Sequence, residues 1–297
     1  MDERAWLAEH FEEHRPRLRA VAYRMLGSLS EADDAVQDAW LRISRTDTSD
    51  VENPGGWLTT VVARVCLNML RSRERRREEP LEMRVPDPVV DPESGADPEQ
   101  ETLLADSVGL ALLVVLDTLS PAERLAFVLH DMFAVPFDEI GPMMERSPAA
   151  TRQLASRARR RVRGNASVPD ADLTRQRQVV EAFQAASRGG DFGALLALLD
   201  PDVVFHADRT AGPTPAPIVL HGARNVAKGA SAAAERVRFT QPALINGKAG
   251  LVMAPRGRLF LVLEFTITQG RITAIDVVAD RDRLSELEIA VLPTTHG

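Results

Sequence analysis

From residue 53 to residue 78 the chain reads NPGGWLTTVVARVCLNMLRSRERRRE, the pattern of one long helix with two distinct faces. Leu58, Val61, Val62, Val65 and Met69 recur at three- and four-residue spacings and predict its buried side. Thr60, Arg64, Asn68, Arg71 and Arg75 recur at the same spacings and form a continuous polar stripe. The helix runs out into a basic cluster, Arg71, Arg73, Arg75, Arg76 and Arg77. Arginine suits phosphates and asparagine suits base edges, so the stripe is a candidate nucleic-acid surface. An arginine run on its own is more often a solvated helical face. Asn53-Pro54-Gly55-Gly56 forms a loop whose asparagine can either cap the helix or read an extruded base. Trp57 is expected in the core.

Upstream, EADDAVQDAWLRI at residues 31–43 is amphipathic. Ala32, Ala35, Val36, Ala39 and Ile43 share one face, and Asp34, Gln37, Asp38 and Leu41 project from another. Ser30 with Asp33 approximates a capping box. Asp34 and Asp38 lie one turn apart, which suits a solvated acidic face or a docking face for a basic partner.

Downstream, residues 81–104 carry Pro86, Pro88, Pro92 and Pro98 with no helical or strand period, and read as a linker. Residues 81–110 hold one basic and eight acidic groups, an imbalance equal to the whole-chain net charge of −7. The acidic balance therefore says nothing against a nucleic-acid partner for the helical blocks on either side. A second break at 164–173 leaves three blocks: 1–80, 105–164 and 171–297. In the middle block Ser120-Pro121-Ala122-Glu123 is a full capping box. The stretch to residue 164 lays out as helix, helix, tight turn and helix, a helix-turn-helix pattern. Ser147 is placed to cap the last helix and Pro148 to occupy its first turn. Ala150, Leu154 and Val162 are expected inward, and Thr151, Arg152 and Arg157 outward. In the last block, helical stretches near 174–188, 191–199 and 223–234 give way to alternating strands. Residues 258–268, RLFLVLEFTIT, place Leu259, Leu261, Leu263, Phe265 and Ile267 on one face. Gln269-Gly270 then turns the chain into RITAIDVV, so the block is α+β.

With 44% hydrophobic and 27% charged residues, wholesale disorder is excluded. The longest apolar stretch, LALLVVL at 110–116, falls far short of the ~20 residues of a membrane span. The first residues, MDERAWLAEHFEEHR, are unlike a secretory leader, and a cytoplasmic location is expected. The single cysteine, Cys66, excludes an internal disulfide and a multi-cysteine zinc site. No cofactor or metal is expected.

EADDAVQDAWLRI followed by NPGGWLTTVVARVCLNMLRSRERR resembles region 2 of the extracytoplasmic-function sigma factors. The resemblance implies that Asp34, Gln37, Asp38 and Leu41 dock on bacterial core RNA polymerase. It also implies that Asn53 lies beside a flipped −10 base and that Arg64, Asn68, Arg71 and Arg75 face promoter DNA. The middle block resembles region 4, which reads the −35 element, here through Thr151, Arg152 and Arg157. Gly141-Pro142 departs from that pattern and predicts a bent helix. The last block resembles the cone-shaped SnoaL-like domain appended to one subgroup of these factors. Its motifs survive in part as RVPDPV at 84–89, DRTAG at 208–212 and DRDRL at 280–284. The implied architecture is multidomain: two all-α domains, regions 2 and 4, followed by an α+β SnoaL-like domain that modulates them in cis. SnoaL-like folds also host isomerases and hydrolases. His206, Asp208, Glu264, Asp282 and Leu284 are therefore candidate pocket or regulatory residues, with a small molecule as a candidate ligand. No nucleophile–base spacing accompanies them, and a non-catalytic protein is the favoured reading. Two rivals stand beside it. One is a ligand-sensing helix-turn-helix regulator and the other a SnoaL-like isomerase or hydrolase fused to DNA-binding helices. Neither accounts for EADDAVQDAWLRI or the NPGGWL helix.

Overall fold

A computed structural model describes residues 3–44, 46, 51–76, 109–164, 169–212, 216–255 and 259–292. The linker expected at 81–104 lies outside the described residues. Two compact units result. One comprises Met1–Ser107 with Leu116–Arg160, and the other Val108–Val115 with Arg161–Gly297.

The first unit begins with three helices: α1 (Glu3–Leu26), α2 (Leu29–Ile43) and α3 (Pro54–Arg76). Leu29, Ala32, Ala35, Val36, Ala39 and Ile43 are buried on α2, as its period predicts. The expected capping box does not form. α2 starts at Leu29, Ser30 lies inside the helix, and Asp33 binds Arg19 of α1 through two bonds of 2.6 and 3.0 Å. A bidentate guanidinium is a stronger partner for a carboxylate than a serine amide. On α3, Leu58, Val62 and Val65 are buried as expected, while Val61 and Met69 are half-buried. Ala63, Cys66, Leu67 and Leu70 complete the core, because α3 packs on α1, on α2 and on a third helix further along the chain. Trp57 is only half-buried, roughly a quarter turn away from the Leu58 line.

Burial pushes the Cys66 thiol up to about 12. At pH 8 only about one molecule in 10⁴ would then carry the reactive thiolate. Native protein is expected to resist aromatic disulfide reagents, with labelling that speeds up only as denaturant opens the unit. Labelling in native buffer at the rate of a free thiol would contradict this burial.

After α4 (Leu110–Thr118) come α5 (Pro121–Phe127), which continues as a π-helical turn Val128–Met132, and α6 (Phe137–Ile140). A 3₁₀ turn, Gly141–Met143, leads to α7 (Pro148–Arg163). Ser120 and Glu123 form the expected reciprocal cap. The α6 helix stops at Gly141-Pro142, as the proline predicts. A Cβ on Gly141 would meet the Arg146 carbonyl oxygen at 2.6 Å, so only glycine lets the two backbones approach. Ser147 Oγ accepts from the Ala150 amide at 3.2 Å and caps α7.

The second unit carries α8 (Asp170–Gly189), α9 (Phe192–Leu198), α10 (Ala223–Ala232), α11 (Ala234–Val237) and α12 (Arg281–Glu286). Its strands are β1 (Leu199–Ala207), β2 (Ile218–His221), β3 (Thr240–Ile245), β4 (Lys248–Met253), β5 (Leu261–Thr268), β6 (Arg271–Val278) and β7 (Ile289–Ala290). They form one sheet in the order β2-β1-β6-β5-β4-β3-β7, antiparallel except where β1 lies parallel to β6. Gln269 and Gly270 both take positive φ, 51° and 78°, as a two-residue hairpin turn of this hand requires. Leu261 and Phe265 of β5 join the core with Phe183 of α8, whose ring meets Phe265 edge-on at 5.3 Å. The α+β architecture expected of the last block is present.

Candidate functional site

The polar face of α2 is open. Asp34, Gln37, Asp38 and Leu41 are all exposed, and Leu41 is 50% accessible, unusual for a leucine. Asp38 makes a long ion pair of 3.7 Å with Arg42 on its own helix. Such an exposed pair is worth little. The face combines two carboxylates with an unburied apolar side chain, which suits a basic protein surface carrying an apolar contact.

Arg64, Asn68 and Arg75 on α3 are exposed and Arg71 is half-buried, so the stripe predicted from spacing exists. Arg73, one residue out of phase, pairs with Glu31 and also reaches the Leu26 carbonyl, tying α3 to α2. Asn53 caps α3, its Oδ1 accepting from the Gly56 amide at 3.0 Å. Its Nδ2 hydrogens are not used by that bond, and the residue is exposed, so capping leaves the base-reading role available.

Within this unit, Asn53–Gly56 lines a cleft of about 480 Å³ together with His10, His14 and Arg17 of α1 and the turn Phe133–Pro136. Arg17 donates to the Phe133 carbonyl at 3.2 Å, and Arg24 lies over the Phe133 ring, 5.2 Å from its centroid. Arg124 of α5 is 2% exposed. Its Nε donates to the Arg24 carbonyl at 3.1 Å and its Nη1 lies 3.4 Å from Asp117. Burial pulls this guanidinium down to about 10, against the pull of Asp117. Among the described residues its Nη2 has no hydrogen-bond partner. A buried, incompletely paired guanidinium weakens the packing around it by ~1–3 kcal/mol. Sequence reasoning passed over Arg124 and Phe133, because their partners lie about a hundred residues away.

On α7 the inward positions are Thr151, Ala155 and Ala158, whereas Ala150, Leu154 and Val162 are half-buried. Thr151 is therefore not an outward-facing residue: it is 0% exposed, and its hydroxyl donates to the Ser147 carbonyl at 3.0 Å. That bond satisfies the hydroxyl inside the core, so polarity at this position misreports the phase of the helix. Arg152 and Arg157 are exposed, and Arg152 lies over the Phe137 ring at 5.4 Å.

The candidate pocket residues of the second unit do not converge. Phe205 and Ala207 line its apolar cavity, so by strand alternation His206 points to the opposite face, 3.7 Å from Asp276. Glu264 accepts from Asn246 Nδ2 at 3.2 Å and does not line the cavity. Asp208 serves the backbone instead. Its Oδ2 accepts from the amides of Ala279 and Asp280 at 2.7 and 2.8 Å, and its Oδ1 from the Thr210 amide and hydroxyl. Burial would raise this carboxyl, but those four bonds outweigh it and hold it below its ordinary value. Asp282 is exposed and Leu284 is buried. Asp280, which sequence reasoning passed over, is the N-cap of α12, accepting from the amides of Asp282 and Arg283. An aspartate directly before a short helix was the available signal.

Residues 10–76 match the family model Sigma-70 region 2, and residues 109–162 match Sigma-70, region 4. The chain is 36% identical over 293 residues to the ECF RNA polymerase sigma factor SigJ of Mycobacterium tuberculosis, covering 93% of this chain and 92% of the relative. It is 33% identical over 286 residues to the probable ECF RNA polymerase sigma factor SigI of that species, covering 95% and 94%. The crystal structure of M. tuberculosis SigJ aligns at 34% identity over 94% of this chain and 98% of that one, with a TM-score of 0.46.

Proposed function

The chain belongs to the extracytoplasmic-function sigma factors of RNA polymerase, and on that premise we propose which of its surfaces carry each part of the work. A sigma factor lends core polymerase its promoter recognition. The match to region 2 supports this reading over its two rivals, both of which lacked a role for α2 and α3. In our reading residues 1–80 form region 2, 105–164 region 4 and 171–297 a regulatory SnoaL-like domain, joined through the acidic segment 81–104. The observation that carries the assignment is the pairing of two exposed surfaces on adjacent helices. Asp34, Gln37, Asp38 and Leu41 on α2 take polymerase, and Arg64, Asn68, Arg71 and Arg75 on α3 take −10 DNA.

Asn53 completes the −10 site. Its cap to Gly56 holds the side-chain oxygen, leaving the amide hydrogens for an extruded base. Across the cleft stands the Phe133–Pro136 turn, so region 4 moves away before a DNA strand enters. The incomplete pairing of Arg124 makes that packing easier to release. Arg152 and Arg157 on α7 read the −35 element, while Thr151 supports the helix from inside. The C-terminal unit modulates regions 2 and 4 in cis and has no catalytic role in this reading, since His206, Asp208 and Glu264 do not line its cavity.

The test divides the surfaces by promoter element. Arg64→Ala and Asn68→Ala are expected to weaken opening at the −10 element, and Arg152→Ala to weaken −35 recognition. The expected cost is ~1–3 kcal/mol for each side chain that no longer reaches a base. Asn53→Asp keeps the capping oxygen but lacks the amide hydrogens, and is expected to lose opening without losing stability. Transcription from templates altered in one element at a time measures all four. Equal losses on every template would reject this division.

A further inference from the structure

We propose that the C-terminal unit binds a small monocarboxylic acid with a ring-sized apolar body, its carboxylate held by Arg236. This goes beyond the sigma reading and stands or falls apart from it. The unit contains a cavity of about 180 Å³. A cavity of ~150 Å³ lined by apolar side chains is known to take up a single benzene ring and otherwise to stay dry. The walls here are Phe183, Phe205, Leu220, Met253, Leu261 and Val277, with two polar side chains among the lining residues, Thr240 and Arg236.

Thr240 is not available to a ligand as a donor. Its hydroxyl donates to the Val237 carbonyl at 2.7 Å and accepts from Gln184 Nε2 at 3.0 Å. Arg236 differs. It is exposed, and among the described residues its guanidinium makes no hydrogen bond or ion pair. Its sequence neighbour Glu235 is engaged by Arg238 at 3.1 Å, and Arg188 is occupied by the Arg238 and Thr240 carbonyls. The cavity lining thus includes an exposed residue with an uncommitted planar cation, a shape that grips a carboxylate through two parallel bonds. The space itself is kept open by small side chains. Ala211, Gly212, Gly229, Ala230 and Ala233 all line it, where larger side chains would take up its volume. A neutral hydrocarbon would leave the cation unused, and a short polar acid would leave the apolar walls unfilled, so the ligand needs both parts.

The experiment titrates the full-length protein calorimetrically with benzoate, cyclohexanecarboxylate, toluene and acetate. Benzoate and cyclohexanecarboxylate are expected to bind with Kd below about 1 mM, and acetate not to bind. Arg236→Gln should weaken both ring acids about tenfold or more while leaving toluene unchanged. Ala230→Leu should abolish binding of acids and toluene together, with Ala233→Leu as the second filling variant should the first fail to fold. Three results would each overturn the proposal: no ring acid bound at ~10 mM, equal acid affinity in Arg236→Gln, or acid binding that survives the filled cavity.

Discussion

Asp34→Arg combined with Asp38→Arg is expected to cut affinity for core polymerase by more than a hundredfold while region 2 stays folded. Both carboxylates are exposed, and among the described residues only Asp38 has an ion pair, the long and weak one to Arg42, so reversal removes little that holds α2 in place. Against a basic partner the change replaces two attractions with two repulsions. Like charges brought together at an interface cost several kcal/mol, and ~2.7 kcal/mol is already a hundredfold. Circular dichroism and thermal unfolding should match the parent chain, and the loss should shrink as salt rises. Core affinity within a few-fold of the parent would move the docking surface elsewhere. Leu41→Ser offers an uncharged companion test of the same face, because it removes the apolar side chain without altering the field.

The second large effect falls on the C-terminal unit. Asp208→Ala leaves the amides of Thr210, Ala279 and Asp280 without their acceptor and should destabilise that unit by ~3 kcal/mol or more. The acid limb carries the same signature. A carboxyl held below its ordinary value contributes stability above the unfolded-chain pKa, near 3.8, and loses it as pH falls through the folded value. The parent unit should therefore weaken below about pH 4, whereas Asp208→Asn, with no proton to gain, should be flatter there. Measured by hydrogen exchange of β6 amides, no change in Asp208→Ala would refute the bracing role. The variant also tests control in cis without shortening the chain. Promoter-dependent transcription should shift several-fold as the C-terminal unit loosens, and unchanged transcription would separate that unit from regulation.

Periodicity carries most of the first unit. On α2 every residue expected to be buried is buried, because the helix offers one face to its neighbours and small alanines leave no ambiguity about which. On α3 periodicity is too narrow a guide, since a helix packed on three others buries more than one stripe, and Ala63, Cys66 and Leu67 join Leu58 and Val62. Thr151 misleads for the opposite reason: a hydroxyl bonded to its own preceding turn can be buried at small cost, so its polarity does not mark the exposed side. In the C-terminal unit, candidates chosen by chemical type scatter. The alternation of β1 sends Phe205 and Ala207 into the cavity and His206 away from it. Arg236 joins that cavity only through the folding of α10 and α11 against the sheet, and nothing in its local sequence distinguishes it.

The parallel pairing of β1 with β6 sets a timetable for the ribosome. Val204 waits for Ala274, seventy residues later. At ~5–20 residues per second that is a delay of roughly 4–14 s, during which β1 can pair only with the nearby β2. The helices α1 to α3 pack chiefly on one another and can come together before the helices from residue 121 onward join them. Each new molecule therefore passes through an interval in which its N-terminal helices have been made and its C-terminal sheet is not yet complete. A nascent chain is, for those seconds, a sigma factor without its appended domain, and the order of synthesis alone provides a brief period free of whatever control that domain exerts.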